Sequence, residues 1–286
     1  MFDSILKPIL LYGSQVWGYQ YRADIEKMHT NYCKFILGIH KSASNAGALG
    51  EWGRFNLNVY YMSSCVKYWC NLINMPLTRY PKQTYLMLKK LDEVGRTTWV
   101  TNVRKLLFSL GFAVVFQKER IGNVQLYIVS FKHGLKDVNI QEWSSKVALS
   151  ESLKDYSNFK LELCQEAYLT CQMKVSCWRN ITRLRLNLLP LSVNLYRRHL
   201  NNSPRCPLCK VGNEDSYHFL FVCECLNVVR TKFIPKRYER YYDVRNMIDI
   251  CTSSDKTLLM SNSSDINHAL LLRQNILAPP RVSGFR

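Results

Sequence analysis

The sequence predicts a mostly α-helical protein, because apolar residues recur at steps of three and four while the strict alternation of a strand is nearly absent. Only residues 123–129 carry an alternation in which a strand would compete with a helix. A hydrophobic content of 47% and an aromatic content of 12% over 286 residues indicate a folded chain rather than a disordered one.

Three amphipathic helices are expected in the first part of the chain, each from one apolar stripe and each followed by a residue that ends helices. The first stripe ends near Gly38 and consists of Ile25, Met28, Tyr32, Phe35, Ile36 and Ile39. The second precedes Pro76 and consists of Phe55, Val59, Met62, Val66, Trp69 and Ile73. The third precedes Gly111 and consists of Trp99, Val103, Leu106, Leu107 and Leu110.

The later chain is expected to form shorter elements. Residues 78–82 are interpreted as a connection, because Pro76 and Pro81 bracket them, and shorter helical patterns follow at 124–132, 137–149 and 160–173. The tail from Pro279 is expected to be disordered. We predict a helical domain at 1–170, a basic helix with a small module at 171–240, and short helices with a loose tail at 241–286.

The chain is strongly basic, with a formal net charge of +18, and such a field attracts polyanions before any specific contact forms. Nucleic acid is the first candidate partner and an anionic membrane surface the second, while solvated basic faces remain an alternative. No segment reaches the roughly 18 uninterrupted apolar residues of a membrane helix, and no leader pattern is evident. We therefore expect an intracellular protein, in the nucleus or the cytoplasm, that is neither secreted nor inserted in a membrane.

In a reducing interior the 11 cysteines are not expected to form disulfides. Most of them lie singly within apolar helical stretches and are interpreted as small buried hydrophobes, among them Cys33, Cys65, Cys70 and Cys164. One group differs, because Cys206, Cys209, His218 and Cys223 follow the pattern C-x2-C-x8-H-x4-C.

This spacing is typical of a zinc site. Two thiolates two residues apart can chelate one ion, residues 210–213 can turn the chain back, and His218 with Cys223 can supply the second ligand pair. Four such ligands leave no open position, which favours one structural tetrahedral Zn²⁺ over a catalytic one. Cys225 competes with Cys223 at a longer spacing from His218, and a chance grouping is the alternative. So short a module would have almost no core, so the metal would supply much of its folding energy.

A basic helix is predicted before this cluster. Its apolar side would carry Val175, Trp178, Ile181, Leu184 and Leu188, and Arg179 and Arg183 would share the opposite face with Asn180 and Asn187, whereas Arg185 lies nearer the apolar side. Cations spaced along a rigid face can meet phosphates, although a solvated amphipathic helix is the alternative. The predicted nucleic-acid-binding residues are Lys174, Arg179, Arg183, Arg185, Arg197, Arg198, Arg205 and Lys210.

Several stretches, in order, resemble the region that follows the polymerase core in LINE-type (non-LTR) retrotransposon reverse transcriptases. They include PILLYGSQVWG at 8–18, IEKMH at 25–29, CKFILG at 33–38, EWGR at 51–54, QEW at 141–143, LRL at 184–186 and RCPLC at 205–209. The resemblance spans about residues 2–240, and its most specific part is the cysteine–histidine pattern, a zinc knuckle in that family.

The resemblance implies that the knuckle and its basic flanks hold template RNA or target DNA during target-primed synthesis, with the polymerase portion of the parent element as a further partner. The family's Tyr-x-Asp-Asp turn occurs nowhere here, and no paired-carboxylate motif for two magnesium ions is found. We therefore expect a non-enzymatic nucleic-acid-binding C-terminal fragment, a retroelement remnant. A zinc-stabilised protein-interaction scaffold with no nucleic-acid role is the alternative, and a reading frame without a cellular role is a third.

Overall fold

A computed structural model describes residues 1–238 and 244–278. Within these ranges all the regular secondary-structure elements are helices, and one isolated β-bridge joins Arg205 and Asn213. The prediction of a mostly α-helical fold with a small cysteine–histidine module is confirmed. The predicted disorder from Pro279 onward lies outside the described residues.

The α-helices are described in chain order. They are α1 (Lys7–Leu10), α2 (Ser14–Trp17), α3 (Ala23–Leu37), α4 (Asn45–Trp52), α5 (Asn58–Ile73), α6 (Tyr80–Glu93), α7 (Trp99–Ser109), α8 (Ala113–Lys118), α9 (Val124–Ala148), α10 (Ala167–Thr170), α11 (Val175–Arg185), α12 (Ser192–Tyr196), α13 (Asn227–Phe233), α14 (Val244–Thr252) and α15 (Lys256–Leu277). None of the helices in the described ranges combines the length and apolar character needed to cross a bilayer.

The chain divides into two compact units. Unit 1 comprises Met1–Asn31 with Phe55–Glu142, and unit 2 comprises Tyr32–Arg54 with Trp143–Arg286. The predicted boundaries at 170 and 240 therefore do not coincide with the limits of these units. Helix α15, which belongs to the predicted third part, packs against α11 and α13 inside unit 2.

Unit 1 is built around α5, whose inward side chains include Val59, Cys65 and Trp69 at 0% exposure. The buried Glu26 carboxylate accepts hydrogen bonds from the Leu57 and Asn58 amides at 2.9 and 2.8 Å, at the first turn of this helix. A carboxylate at this end satisfies amides that have no partner within the helix and complements the helix dipole.

Unit 2 contains the apolar cluster in which the cysteine–histidine module is seated. This cluster joins Leu184 of α11, Ile250 of α14 and Ile266 of α15, each at 0% exposure, to Phe219 and Phe221 of the module. The expectation that the module has almost no core is therefore wrong, because helices from both sides of it in the chain cover its apolar residues.

The helices predicted from the three apolar stripes are confirmed as α3, α5 and α7. The connection predicted at 78–82 is wrong, since Pro81 lies in the first turn of α6, where proline is tolerated. In the stretch 123–129 no strand forms, since α9 begins at Val124, and α9 joins the two patterns predicted at 124–132 and 137–149.

The pattern at 160–173 yields only the four-residue helix α10. The segment before it is irregular, because the buried Lys160 ammonium donates to the Cys164 carbonyl and to the Glu166 carboxylate. Cys33, Cys65 and Cys70 are buried as expected, whereas Cys164 in this irregular segment is exposed.

Candidate metal centre

The four predicted ligands converge on one point in unit 2. The candidate donor atoms of Cys206, Cys209, His218 and Cys223 all lie within 4.8 Å of one another. The Sγ atoms of Cys206 and Cys223 are 3.8 Å apart, and Cys209 Sγ is 3.3 Å from His218 Nε2. A tetrahedral ion with metal–sulfur distances of about 2.3 Å places two sulfurs about 3.8 Å apart. This cluster can therefore hold a metal ion.

The first ligand pair lies on a tight turn. The Lys210 amide donates to the Cys206 carbonyl at 3.0 Å, and the Cys206 amide donates to the Gly212 carbonyl at 2.7 Å. Lys210 has φ of +61°, the left-handed conformation that folds the chain back after Cys209. These bonds direct both thiols of the C-x2-C pair to the same side of the turn.

The second ligand pair flanks a short π-helical segment, His218–Val222, because His218 is its first residue and Cys223 follows its last. The Asp215 carboxylate accepts a hydrogen bond from the His218 amide at 2.7 Å, and the Cys223 amide donates to the His218 carbonyl at 2.8 Å. Phe219, Leu220 and Phe221, each 1% exposed, anchor this segment in the apolar cluster of unit 2.

The cluster's electrostatics suit a cation. Burial raises the pKa of the Cys206 thiol and, together with the neighbouring Cys206, raises the pKa of Cys223 to about 12. At Cys209 burial acts in the same direction, but hydrogen bonds from the Val211 amide and the neighbouring thiols outweigh it and lower the pKa. Burial lowers the pKa of His218, which favours the neutral imidazole that binds metals. A bound cation would compensate the thiolates that burial disfavours.

Glu214 connects the module to the rest of unit 2. Its carboxylate is fully buried and accepts hydrogen bonds from the Ser192 amide and hydroxyl, both at 2.7 Å. Arg273 of α15 donates to the same carboxylate through Nε at 2.6 Å and through Nη2 at 2.8 Å. Sequence reasoning missed this pair, because the two residues lie 59 positions apart and no spacing links them.

Arg230 holds the other end of the module. It is 3% exposed, and its guanidinium donates to the carbonyls of Leu220 at 2.6 Å and Cys223 at 2.9 Å. An arginine in a basic stretch gives no sign that it is buried. Its contacts therefore could not be predicted from composition.

Six of the eight cations predicted to bind nucleic acid are exposed, and Arg179 is half-buried. The exposed ones are Lys174, Arg183, Arg197, Arg198, Arg205 and Lys210. The Arg183 guanidinium donates to the Gly38 carbonyl at 2.8 Å. Arg179 lies against the same glycine. A Cβ at Gly38, which has φ of +64°, would be 2.4 Å from the Arg179 Nε atom. These two cations therefore also hold the end of α3.

Arg185 is the exception, and its place among the predicted contacts is corrected. Its side chain is 0% exposed, and Nε lies 3.1 Å from both oxygens of the fully buried Glu51 carboxylate. Nη2 lies 3.0 Å from the Glu166 carboxylate, and Nη1 donates to the Cys251 carbonyl at 3.0 Å. No phosphate can reach this guanidinium in the structure, so the prediction that Arg185 contacts nucleic acid is wrong.

The polar face predicted for α11 is also less open than expected. Asn180 is buried and donates to the Asn267 side chain at 2.8 Å, because α15 covers this side of the helix. Asn187 lies beyond the end of α11 with φ of +53°, and it donates to the Asp155 carboxylate at 2.8 Å. Of the four residues predicted for this face, Arg183 alone is exposed and Arg179 is half-buried.

Comparison with known proteins gives no match to this chain among family models, curated proteins or solved structures. The site is therefore defined by its own geometry. It is a Cys₃His cluster able to hold a metal ion, seated in a helical unit, with exposed cations on the segments before and within it.

Proposed function

We propose that the chain binds nucleic acid through a zinc-organised basic module of the kind that follows the polymerase core in LINE-type reverse transcriptases. The observation that carries this proposal is the convergence of four ligand atoms within 4.8 Å, in the order and spacing of that family's knuckle. In this proposal the chain is a retroelement remnant, and the polymerase activity belongs to the portion of the parent element that this chain lacks.

Zinc is the metal that the donor set favours. Three thiolates and one imidazole are soft or borderline ligands, which suit Zn²⁺ and disfavour the hard cations Mg²⁺ and Ca²⁺. Four protein ligands leave no position for a catalytic water, so the ion is structural. Its role is to fix the chain at 205–223, and with it the segments that Glu214 and Arg230 join to the module.

Nucleic acid is favoured by cations that the protein itself does not neutralise. The six exposed cations of the predicted set form no ion pair within the described residues: Lys174, Arg183, Arg197, Arg198, Arg205 and Lys210. The whole chain carries a formal charge of +18, so such side chains add to a strong positive field. These side chains would displace the counterions that are condensed on the phosphates, and this release is favourable at low salt.

A titration of the zinc-loaded full chain with a structured RNA and with duplex DNA, at several salt concentrations, tests this proposal. We expect the logarithm of the binding constant to fall linearly and steeply with the logarithm of salt. The double variant Lys174→Gln, Arg205→Gln, at two exposed positions, should bind more weakly, with a slope smaller by about 1–2. Zinc content and helix content of this variant should match the wild type.

The matched control removes two exposed cations of unit 1, in the double variant Lys118→Gln, Arg120→Gln. It has the same net charge as the test variant and should leave the slope close to that of the wild type. If the wild-type chain binds neither polynucleotide at low salt, the proposal is overturned, and a zinc-stabilised protein-interaction scaffold becomes the better explanation.

A further inference from the structure

Unit 2 contains a cavity of about 410 Å³ that the metal cluster does not use, and both polar and apolar side chains line it. Four segments line it: His40 and residues 42–44 before α4, the single turn Glu151–Leu153, residues 186–188 after α11, and the segment of α12 that carries Asn194 and is followed by Arg197 and Arg198. Hydroxyl groups from Ser42, Ser44 and Ser152 lie on its walls.

Two adjacent cations line this cavity without any partner of their own. The guanidinium groups of Arg197 and Arg198 form no hydrogen bond or ion pair within residues 1–238 and 244–278, and both side chains are exposed. Glu151 is the one carboxylate among the lining residues, and it is exposed as well. Guanidinium groups match phosphate oxygens in charge and in planar geometry.

A helix adds to the positive character of the wall. Ser44 is the N-cap residue of α4, and its hydroxyl accepts a hydrogen bond from the Gly47 amide at 3.3 Å. The amino-terminal end of a helix carries a partial positive charge, which complements an anion nearby. The arginine pair, the serine hydroxyls and this helix end therefore favour the same kind of ligand.

The metal module fixes the segments that line the cavity. Glu214 binds the amide and hydroxyl of Ser192 at the start of α12, the short helix that leads to the arginine pair. The Ser216 hydroxyl donates to the Asn187 side chain at 3.2 Å. Glu214 and Ser216, which shortly precede the ligand His218 in the chain, thus hold the beginning of α12 and the turn after α11.

We propose that this cavity binds a phosphate group of a single-stranded nucleic acid, with Arg197 and Arg198 as the phosphate ligands. A volume of about 410 Å³ is in the range of sites for small molecules and admits a nucleotide unit but not a duplex. The inference rests on the proposed nucleic-acid function and adds a defined subsite to it.

The first experiment uses the zinc-loaded full chain and a fluorescent single-stranded oligonucleotide. The double variant Arg197→Gln, Arg198→Gln should bind it at least about tenfold more weakly, because two charge-assisted contacts are lost. The variant Lys118→Gln, Arg120→Gln, with the same net charge, should lose less than about twofold, since exposed charges far from a phosphate are screened by salt. Equal losses in the two variants, or none in either, would overturn the subsite while leaving the proposed nucleic-acid function intact.

The second experiment tests the cavity without a polynucleotide. Adenosine 5′-monophosphate and, separately, inorganic phosphate are titrated while the backbone amide resonances are followed by NMR. We expect shifts confined to residues 40–45, 151–153 and 186–198 in the wild type, stronger with the nucleotide. Neither Arg197→Gln, Arg198→Gln nor Ser152→Asp, which adds a negative charge to the wall, should show them.

These arms separate the possible failures. Shifts with the small ligands and no oligonucleotide binding would identify a free-nucleotide or phosphate site, and they would contradict both the single-stranded assignment and the proposed function. Oligonucleotide binding that Ser152→Asp leaves unchanged, with no localised shifts, would overturn the subsite alone.

Discussion

At the scale of single residues, Cys209 separates the contribution of the metal from that of the apolar core. It is the ligand at the outer side of the cluster and is only partly buried, so its replacement by serine leaves the packing of Phe219 and Phe221 in place. We expect Cys209→Ser to lose the bound metal and to expose the backbone of residues 205–223 to hydrogen exchange, while unit 1 keeps its protection.

Cys225 provides the matched control for this prediction. It is exposed and lies outside the cluster of four ligands, although its spacing made it a competitor of Cys223. Metal analysis of Cys225→Ser should give one equivalent, as for the wild type. Equal metal content in Cys209→Ser and Cys225→Ser would show that the four-ligand assignment is wrong.

Asp265 gives the protein a pH dependence that does not involve the metal. It is 2% exposed in α15, and burial raises the pKa of its carboxyl to about 7, although Arg230 opposes this shift. The unfolded chain has an ordinary value of about 3.9. The folded protein therefore binds this proton more tightly, and the resulting stability is present below pH ~4 and lost as pH rises towards 7.

The variant Asp265→Asn should remove this dependence. Between pH 5 and pH 8 the free energy of unfolding of the wild type should fall by roughly 1–3 kcal/mol relative to the variant. Chemical denaturation at the two pH values measures the difference. Asp137→Asn, at an exposed position of α9, should behave as the wild type. A parallel pH profile for the wild type and Asp265→Asn would contradict the assignment.

At the scale of elements, the Glu214–Arg273 pair joins the metal module to α12 and α15. Glu214→Gln removes the charge that the Arg273 guanidinium and the Ser192 amide both use. Breaking a buried pair leaves an uncompensated charge, so we expect unit 2 to lose about 3–5 kcal/mol of stability and to bind zinc more weakly. Glu224→Gln, at an exposed position beside Cys223, should change neither quantity by more than about 0.5 kcal/mol.

Helix positions were predictable where one apolar stripe faces a core. The stripes of α5 and α7 each have such a face, with Trp69 and Leu107 at 0% exposure. Helix α3 forms as predicted, but Met28 and Phe35 of its predicted stripe are 58% and 73% exposed, and its buried face carries Leu37 instead. Helix α15 was missed because its buried side includes Asn262, Ser263 and Asp265 beside Leu259, so apolar periodicity is interrupted. The start of α6 was missed because the sequence does not distinguish a proline in the first turn of a helix, such as Pro81, from a proline in a loop.

The metal cluster was predictable and its surroundings were not. Ligand spacing in the chain alone identified the four residues that the structure brings together. Burial of Arg185 depends on Glu51, which is 134 residues away, and no local pattern records such a pairing. The prediction from charge alone therefore placed Arg185 on the surface, whereas its side chain is buried inside unit 2.

At the scale of the whole molecule, the cysteine–histidine cluster and the apolar core of unit 2 hold the same segment, residues 205–223. Phe219 and Phe221 are covered by helices, so the module is part of a larger folding unit rather than an independent knuckle. The ion's specific effect should therefore be local, on the turn at 205–213 and on the segments bound by Glu214. Removal of the metal should disturb the exposed cations near the cluster more than the helices of unit 1.

The proposed link between zinc and nucleic-acid binding is tested most directly by the affinity of the full chain for one structured RNA. The affinity is measured before and after a strong chelator removes zinc. Chelation should weaken binding at least about tenfold and reduce the salt slope, because the cations on 197–210 lose their fixed positions. Restoring zinc should restore both quantities. Binding of equal strength and equal salt dependence with and without zinc would contradict the account.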